Sequence, residues 1–486
     1  MESLSISSLH KAYREKKTTP IEVVEKLCSS IESDQSNAFL TLCKERALEQ
    51  AKKSMEILKT ESEFERKYPL LGIPLGIKDL FTIQGVKTTA ASRILENYIP
   101  PYTATCVSRL EKAGAISIGK TNMDEFAMGS SNENSAFGSV KHPTHPEYVS
   151  GGSSGGSAAA VRASLCSGAL GTDTGGSIRL PSHYCGVVGL KPTYGRVSRY
   201  GQIAFASSLD QCGPMTTTVR DAASLLSVMA GADPRDATSL QQKTKPWVEE
   251  IDSGVWSWKG KKVGIPEEYF GEGITEPVEK AVRRQMDWVK DQGAKMIPVS
   301  LPHTPYAVPT YYMVAVSEAS SNLARYDGVR FGVRPPEIDQ VKTLKDFYEE
   351  VRSLFGEEVK RRILLGTFAL SSGYYDAYYQ RACKVRRLIQ NDFLKAFEHV
   401  DLLISPVSPG VAFRQGEKVA KPLSLYLVDV LTTPASLAGL PAMSLPIGQD
   451  QNGLPIGMQL IAPHLEESRL FQASHSIETA IKGARQ

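Results

Sequence analysis

The sequence is short of the residues on which metal, disulfide and membrane chemistry depend. Its eight histidines are dispersed, and the one close pair, His142 and His145, flanks Pro143, which indicates a loop rather than a ligand cluster. Seven cysteines include no C-x-x-C pair, and an odd number of scattered thiols is typical of a reducing cytosol. An uncharged stretch, 430–447, contains three prolines, which argue against a membrane-spanning helix. We therefore expect a cytoplasmic protein without a metal site or a membrane anchor.

A strong charge imbalance is missing as well. Lysine and arginine number 56 against 53 aspartates and glutamates, a net charge of +3, which does not indicate independent nucleic-acid binding. The first residues lack a basic stretch followed by an apolar core, so no secretory signal is expected. No low-complexity linker or internal repeat divides the chain. We predict a single domain over residues 1–486, with a helical segment over 1–60 packed on it.

Glycine and serine, by contrast, are concentrated in two clusters, Ser150–Ser157 and Gly171–Arg179. Glycine tolerates backbone angles that other residues avoid, and such runs expose N–H groups that can bind an anion or an oxyanion. Between the clusters, Ser157–Ala163 is predicted to be a short helix and Leu165–Gly171 a buried strand. A strand that leads into the second cluster would present Ser177 among free amides, which is the setting that a serine nucleophile needs.

These clusters allow three other interpretations. The apolar segment between the clusters disfavours a flexible linker. A phosphate loop is disfavoured for the first cluster because Ser157 stands where the lysine should be. Gly151–Gly155 also fits the G-x-S-x-G nucleophile elbow of α/β-hydrolases, for which His464 or His475 could supply the histidine, and this alternative stays open.

Strand and helix patterns alternate along the rest of the chain. This rhythm predicts the α/β class, with a mixed, mostly parallel central sheet covered by helices on both faces. Apolar spacing predicts helices that include Lys44–Leu58, Thr105–Ala113, Thr218–Ala230, Val278–Gln292, Pro309–Arg325, Leu344–Leu365, Gly373–Phe397 and Glu466–Ile481.

Lys78 ends a short apolar run, Leu71–Lys78, that is predicted to be a buried strand. A lysine in this position often just ends a strand at the surface. Lysine accepts a proton only when it is neutral, and burial lowers its pKa from the usual value of about 10.4. Serine paired with lysine is a known variant of nucleophilic catalysis. From the residues alone, the chain is predicted to be a serine hydrolase or acyltransferase with a lysine base.

Lys78 and the two glycine–serine clusters together resemble the amidase signature family. The resemblance implies a Ser–cis-Ser–Lys catalytic triad. Ser177 would be the nucleophile, Ser153 the bridging serine after a cis peptide bond, and Lys78 the base. The amides of the second cluster would form the oxyanion hole, with Thr174, Gly175, Gly176 and Ser177 at the matching positions.

Longer segments resemble one branch of that family, the glutaminase subunits of tRNA-dependent amidotransferases. Tyr311, Arg362 and Asp429 match the glutamine contacts of that branch. The resemblance implies that ammonia passes to a B subunit that binds the mischarged tRNA and uses ATP with Mg²⁺, while a small C subunit steadies the pair. It implies no cofactor in this chain. The segments that carry the resemblance are Tyr194–Gly201, Ala206–Asp210, Glu318–Asp327, Gly366–Asp376 and Leu431–Pro434.

The chain departs from the family pattern just before the first cluster. Ser150 follows Val149 where the family usually has proline, and His142 stands where asparagine is usual.

Other interpretations remain for the predicted substrate contacts and for the function. A solvated helix face is the alternative for Arg361 and Arg362, and simple packing is the alternative for Tyr311. A stand-alone amidase acting on another amide remains the competing function, and a non-catalytic scaffold is disfavoured because the triad is intact. The choice between glutamate-tRNA and aspartate-tRNA stays open.

Overall fold

A computed structural model of the protein describes residues 4–334, 341–418 and 422–484. The helices are α1 Ile6–Arg14, α2 Pro20–Ser33, α3 Lys44–Thr60, α4 Phe64–Lys67, α5 Thr105–Lys112, α6 Gly155–Arg162, α7 Arg179–Cys185, α8 Val219–Met229, α9 Trp247–Asp252, α10 Glu276–Asp291, α11 Ala307–Leu323, α12 Leu344–Ser353, α13 Glu357–Leu370, α14 Arg381–Phe397, α15 Pro422–Tyr426, α16 Thr433–Leu437 and α17 Glu467–Gly483. The strands are β1 Phe39–Leu42, β2 Pro74–Lys78, β3 Ile116–Thr121, β4 Gly168–Asp173, β5 Val188–Lys191, β6 Gln211–Thr216, β7 Lys262–Pro266, β8 Lys295–Val299, β9 Leu402–Pro406, β10 Ala442–Gln449 and β11 Pro455–Ile461.

The strands form one 11-stranded sheet in the order β1-β3-β2-β4-β6-β5-β10-β11-β9-β7-β8. The α/β class and the mixed sheet are confirmed. Parallel pairing, which we expected to predominate, is found in two blocks, β3-β2-β4 and β9-β7-β8. Antiparallel pairs join these blocks through the middle of the sheet and add β1 at one edge.

The parallel block β3-β2-β4 positions the candidate site. Its three strands are fully buried and run in the same direction, so their carboxyl ends meet at one edge of the sheet. Lys78 ends β2, Thr121 ends β3 and Asp173 ends β4. The two glycine–serine clusters are also placed at this edge. The first cluster leads into the start of α6, and the second begins in β4 and continues beyond the end of that strand.

The predicted helix over 344–365 is wrong in one respect, because the structure has two helices there, α12 and α13. The break lies at Gly356, which has an extended backbone conformation and precedes α13. A Cβ atom on Gly356 would lie 2.3 Å from Oε2 of Glu125, a residue far away in the sequence. The local apolar spacing could not reveal that contact. Likewise, a π-helical turn over Asp376–Gln380 precedes α14 within the predicted helix 373–397.

The amino-terminal helices contact the body of the fold. The Thr19 hydroxyl accepts a hydrogen bond from the Glu22 amide and forms a capping box at the start of α2. The Tyr13 hydroxyl donates a 2.8 Å hydrogen bond to the Gly72 carbonyl, just before β2. Among the described residues, no helix combines the length and apolarity needed to cross a membrane.

Candidate active site

Lys78 is fully buried at the carboxyl end of β2. The alternative interpretation, that this lysine only ends a strand at the surface, is therefore wrong. Its ammonium nitrogen donates hydrogen bonds of 2.8 Å each to the side-chain oxygens of Ser153, Ser154 and Thr172. Burial lowers the pKa of Lys78 to about 7, although the nearby carboxylates of Asp124, Asp173 and Asp210 raise it. A lysine in this state can both hold and release a proton near neutral pH.

The surroundings of the two adjacent serines distinguish their roles. The Ser154 hydroxyl donates to the Thr172 carbonyl and accepts from the Thr172 amide, at 3.2 Å each. The Ser153 hydroxyl contacts Lys78 but makes no other hydrogen bond with the described residues. The peptide bond between Gly152 and Ser153 is cis, as the family resemblance implied. Ser153 is thus the serine whose proton remains free for transfer.

Ser177 lies in the loop between β4 and α7 and is 6% exposed. Its hydroxyl makes no hydrogen bond with a described protein group, and its carbonyl accepts from the Ser154 amide at 3.2 Å, which ties the two clusters together. Four consecutive backbone N–H groups in this loop also have no acceptor among the described residues: Thr174, Gly175, Gly176 and Ser177. Unpaired amides beside a free serine hydroxyl can bind the oxyanion of a tetrahedral intermediate.

A buried ion pair holds this loop in shape. The Arg179 guanidinium donates to both carboxylate oxygens of Asp173 at 2.9 Å, and neither side chain is exposed. It also donates to the carbonyl of Thr432 at 2.9 Å and to the Ser436 hydroxyl at 2.8 Å. The arginine therefore connects the two ends of the loop with the segment that follows Asp429.

The sequence analysis did not identify two acidic residues near the site, Asp124 and Asp210. Asp124 follows β3 and accepts hydrogen bonds from the amides of Asn132 and Asn134, and its own amide donates to the Ser153 carbonyl at 3.2 Å. Asp210 accepts a 2.8 Å hydrogen bond from the Thr174 hydroxyl. Burial raises the pKa of each carboxyl to about 6. The signal for Asp124 was its place just after a buried strand parallel to the one that Lys78 ends.

The predicted substrate residues Tyr311 and Asp429 lie directly against the loop. A Cβ atom on Gly175 would come within 2.8 Å of the Tyr311 ring, and one on Gly176 within 2.6 Å of Asp429 Oδ1. Glycine is therefore required at both positions. Asp429 accepts a hydrogen bond from Ser130 through Oδ2, while its buried Oδ1 has no partner among the described residues. Burial raises the pKa of Asp429 to about 7.

Of the two neighbouring arginines, Arg362 points inward and Arg361 outward. The Arg362 side chain is 3% exposed, whereas that of Arg361 is 44% exposed. The Arg362 Nε donates to Glu358 at 2.8 Å, and the guanidinium lies 5.2 Å from the centre of the Tyr312 ring. Its two terminal nitrogens donate to no described protein group. The solvated-face alternative for Arg362 is therefore wrong.

The nucleophile elbow receives no support from the structure. His475 lies 3.6 Å from Glu478 within α17, and neither it nor His464 hydrogen-bonds to a serine of the first cluster in the described chain. The unusual His142 is buried, and its ring accepts hydrogen bonds from the amides of the following turn and donates to the Tyr184 carbonyl at 2.9 Å. It stabilises the loop before Ser150 without contacting Lys78.

One further pattern that we overlooked in the sequence has no functional counterpart. Residues 114–121 have the letters of a phosphate loop, G-x-x-x-x-G-K-T. In the structure residues 116–121 of this segment form strand β3, and the buried Lys120 forms a 2.9 Å ion pair with Asp79. No group of three or more potential metal ligands occurs among the described residues.

Comparison with known proteins shows the family to which this site and fold belong. The family model for Amidase matches residues 22–471. The A subunit of glutamyl-tRNA(Gln) amidotransferase from Acidobacterium capsulatum is 54% identical over 447 residues, which cover 92% of each chain. The protein of the same name from Koribacter versatilis is 50% identical over 98% of each chain. The crystal structure of the corresponding A subunit of glutamyl-tRNA(Gln) amidotransferase from Thermotoga maritima superposes with a TM-score of 0.71 at 42% identity, covering 87% of this chain and 89% of that one. The chain belongs to the amidase family.

Proposed function

We propose that this chain is the glutamine-hydrolysing subunit of a tRNA-dependent amidotransferase that converts Glu-tRNA(Gln) to Gln-tRNA(Gln). The observation that carries the proposal is the buried lysine Lys78, which contacts Ser153 next to the unpaired amides around Ser177. That arrangement supports amide hydrolysis through an acyl-enzyme. The names of the relatives, at about half identity over nearly the whole chain, favour the amidotransferase over a stand-alone amidase.

The chemistry follows from the contacts. Neutral Lys78 accepts a proton from Ser153, which in turn takes the proton of Ser177 as Ser177 Oγ attacks the γ-amide carbon of glutamine. The loop amides stabilise the negative oxygen that forms. The carbon–nitrogen bond then breaks, the relay returns a proton to the nitrogen, and ammonia leaves. Water attacks the γ-glutamyl ester by the same relay, which releases glutamate and restores Ser177.

Three side chains support glutamine as the substrate. We assign the unpartnered Oδ1 of Asp429 to the α-ammonium group, since a buried carboxylate oxygen without a partner favours a cationic ligand. The free terminal nitrogens of Arg362 suit the α-carboxylate, which a guanidinium can bind in a bidentate manner. Tyr311 packs against Gly175 of the loop and lies near both Arg362 and Asp429.

The proposal includes partner subunits. Free ammonia becomes ammonium at neutral pH and loses its nucleophilicity, so a productive enzyme must pass it directly to the acceptor. We propose that a B subunit binds the mischarged tRNA and activates it with ATP and Mg²⁺, that a small C subunit steadies the assembly, and that this chain itself holds no cofactor. We place the assembly in the cytoplasm, because the seven cysteines are all unpaired thiols, as expected in a reducing compartment.

The nucleophile provides the direct test. A glutamine analogue with a diazoketone in place of the amide should alkylate Ser177, and peptide mass analysis should find the adduct there. Ser177→Ala should lose glutaminase activity and labelling. Ser150→Ala is the matched control, because the Ser150 hydroxyl, in the first glycine–serine cluster, bonds among the described residues only to the Gly151 carbonyl, and this variant should retain both. An adduct on Ser153 or Ser154 would contradict the assignment.

A further inference from the structure

Helix α13, which carries Arg362, is capped by a residue from outside the helix. Its N-cap residue is Gly356, which has no side chain to accept a hydrogen bond from the first turn. The Gly356 amide instead donates a 2.8 Å hydrogen bond to Oε2 of Glu125. The other carboxylate oxygen of Glu125 accepts from the Ser92 hydroxyl, and the Glu125 side chain is buried. A carboxylate at this end of a helix also interacts favourably with the helix dipole.

The cap acts close to the substrate-binding arginine. Arg362 follows Gly356 by six residues, which is less than two helical turns. Glu358, in the first turn, accepts hydrogen bonds from Arg362 Nε at 2.8 Å and from the Tyr426 hydroxyl at 3.0 Å. If the first turn of α13 moved, Glu358 would move with it, and the orientation of Arg362 would change.

The segment that contains Glu125 also contacts the catalytic serines. Asp124, directly before Glu125, binds the Ser153 carbonyl through its amide. A Cβ atom on Gly152 would lie only 2.0 Å from the Asp124 carboxylate, so the two segments are in tight contact. Phe126, directly after Glu125, packs against Phe355 with ring centres 5.6 Å apart. Three consecutive residues therefore connect the relay serine with the start of α13.

We infer that Glu125 is a positioning residue for glutamine recognition, which holds Arg362 in register with the catalytic serines by capping α13. The inference rests on the proposed function, since it assigns Arg362 to the glutamine carboxylate. Glu125 itself touches neither the substrate nor the reacting atoms in this arrangement. Its effect should therefore appear only with substrates that carry the α-carboxylate.

The test compares glutamine with 4-aminobutanamide, which has the same amide and ammonium groups but no α-carboxylate. In the assembled enzyme, Glu125→Ala, which leaves the Gly356 amide without its acceptor, should raise the KM for glutamine roughly tenfold, the factor to which the free energy of one helix cap corresponds. Glu125→Gln, whose amide oxygen can still accept from the Gly356 amide, should keep most of the wild-type KM. The kcat/KM for 4-aminobutanamide should not change. Gly356→Ala should reproduce the result for Glu125→Ala, because its Cβ atom would lie 2.3 Å from Oε2 of Glu125 and displace the carboxylate.

Glu357→Ala is the matched control. It removes a carboxylate from the same end of α13, but the Glu357 side chain is 84% exposed and, among the described residues, forms an ion pair only with Lys360, so both substrates should behave as in the wild type. Equal losses for the two substrates in Glu125→Ala, or no loss for glutamine, would overturn the role of Glu125 and leave the proposed function standing. A wild-type enzyme with no preference for glutamine over 4-aminobutanamide would overturn both.

Discussion

At the scale of single residues, the burial of Lys78 makes the proposed chemistry sensitive to pH. Only the neutral amine accepts a proton, and the pKa of Lys78 is lowered to about 7; Asp429, whose pKa is raised to about 7, must also be ionised to bind the α-ammonium group. The kcat/KM for glutamine should therefore rise by about tenfold to a hundredfold per pH unit below that value and level off above it. Lys78→Arg should lower kcat by roughly 10²- to 10⁴-fold, because arginine keeps its proton. The exposed Lys87→Arg is the control and should behave as the wild type. A flat profile between pH 6 and 8, or an active Lys78→Arg enzyme, would exclude lysine as the base.

At the scale of elements, the loop between β4 and α7 is built around glycines that cannot be replaced. A Cβ atom on Gly176 would lie 2.3 Å from the Thr432 hydroxyl and 2.6 Å from Asp429 Oδ1, so Gly176→Ala must move the loop amides or the carboxylate. We expect kcat/KM for glutamine to fall by at least about 10²-fold, the typical cost of losing one oxyanion donor. Gly271→Ala is the control, since its Cβ atom would meet nothing within 4 Å. If steady-state kinetics of the two variants were alike, the tight fit around Gly176 would be unimportant for catalysis.

At the scale of the whole molecule, the proposed division of labour can be separated from bulk ammonia release. The chain alone should hydrolyse glutamine without forming Gln-tRNA, and the complex with its B and C partners should form it when Glu-tRNA(Gln), ATP and Mg²⁺ are supplied. In that complex, Ser177→Ala should fail with glutamine but still work with an added ammonium salt, because we propose that the site for tRNA amidation lies on the partner. Charged-tRNA analysis by acid gel measures both reactions. If an assembled Ser177→Ala complex failed with both nitrogen sources, the proposed transfer between subunits would be wrong.

The sequence by itself determined the elements and the family, because both depend on local patterns. Apolar spacing predicted α3, α5 and α8, and the two glycine–serine clusters with Lys78 identified the amidase family. Strand–helix–strand rhythm predicted a mostly parallel sheet, and in the structure the parallel block β3-β2-β4 brings the carboxyl ends of its strands to one edge. The sequence pattern could not show antiparallel pairs such as β5-β10 and β4-β6 in the middle of the sheet, since these join strands that are distant in the chain.

The family resemblance named Ser153 and Arg362, but only the tertiary structure gives a physical reason that separates each of them from its neighbour. The backbone of Thr172 occupies the hydroxyl of Ser154 and leaves that of Ser153 free. Arg361 and Arg362 are likewise neighbours, and the packing of α13 buries only the second. The break before α13 depends on Glu125, 231 residues away from Gly356. Contacts of this kind have no local signature, because they arise from side chains that meet only after the sheet and helices have packed.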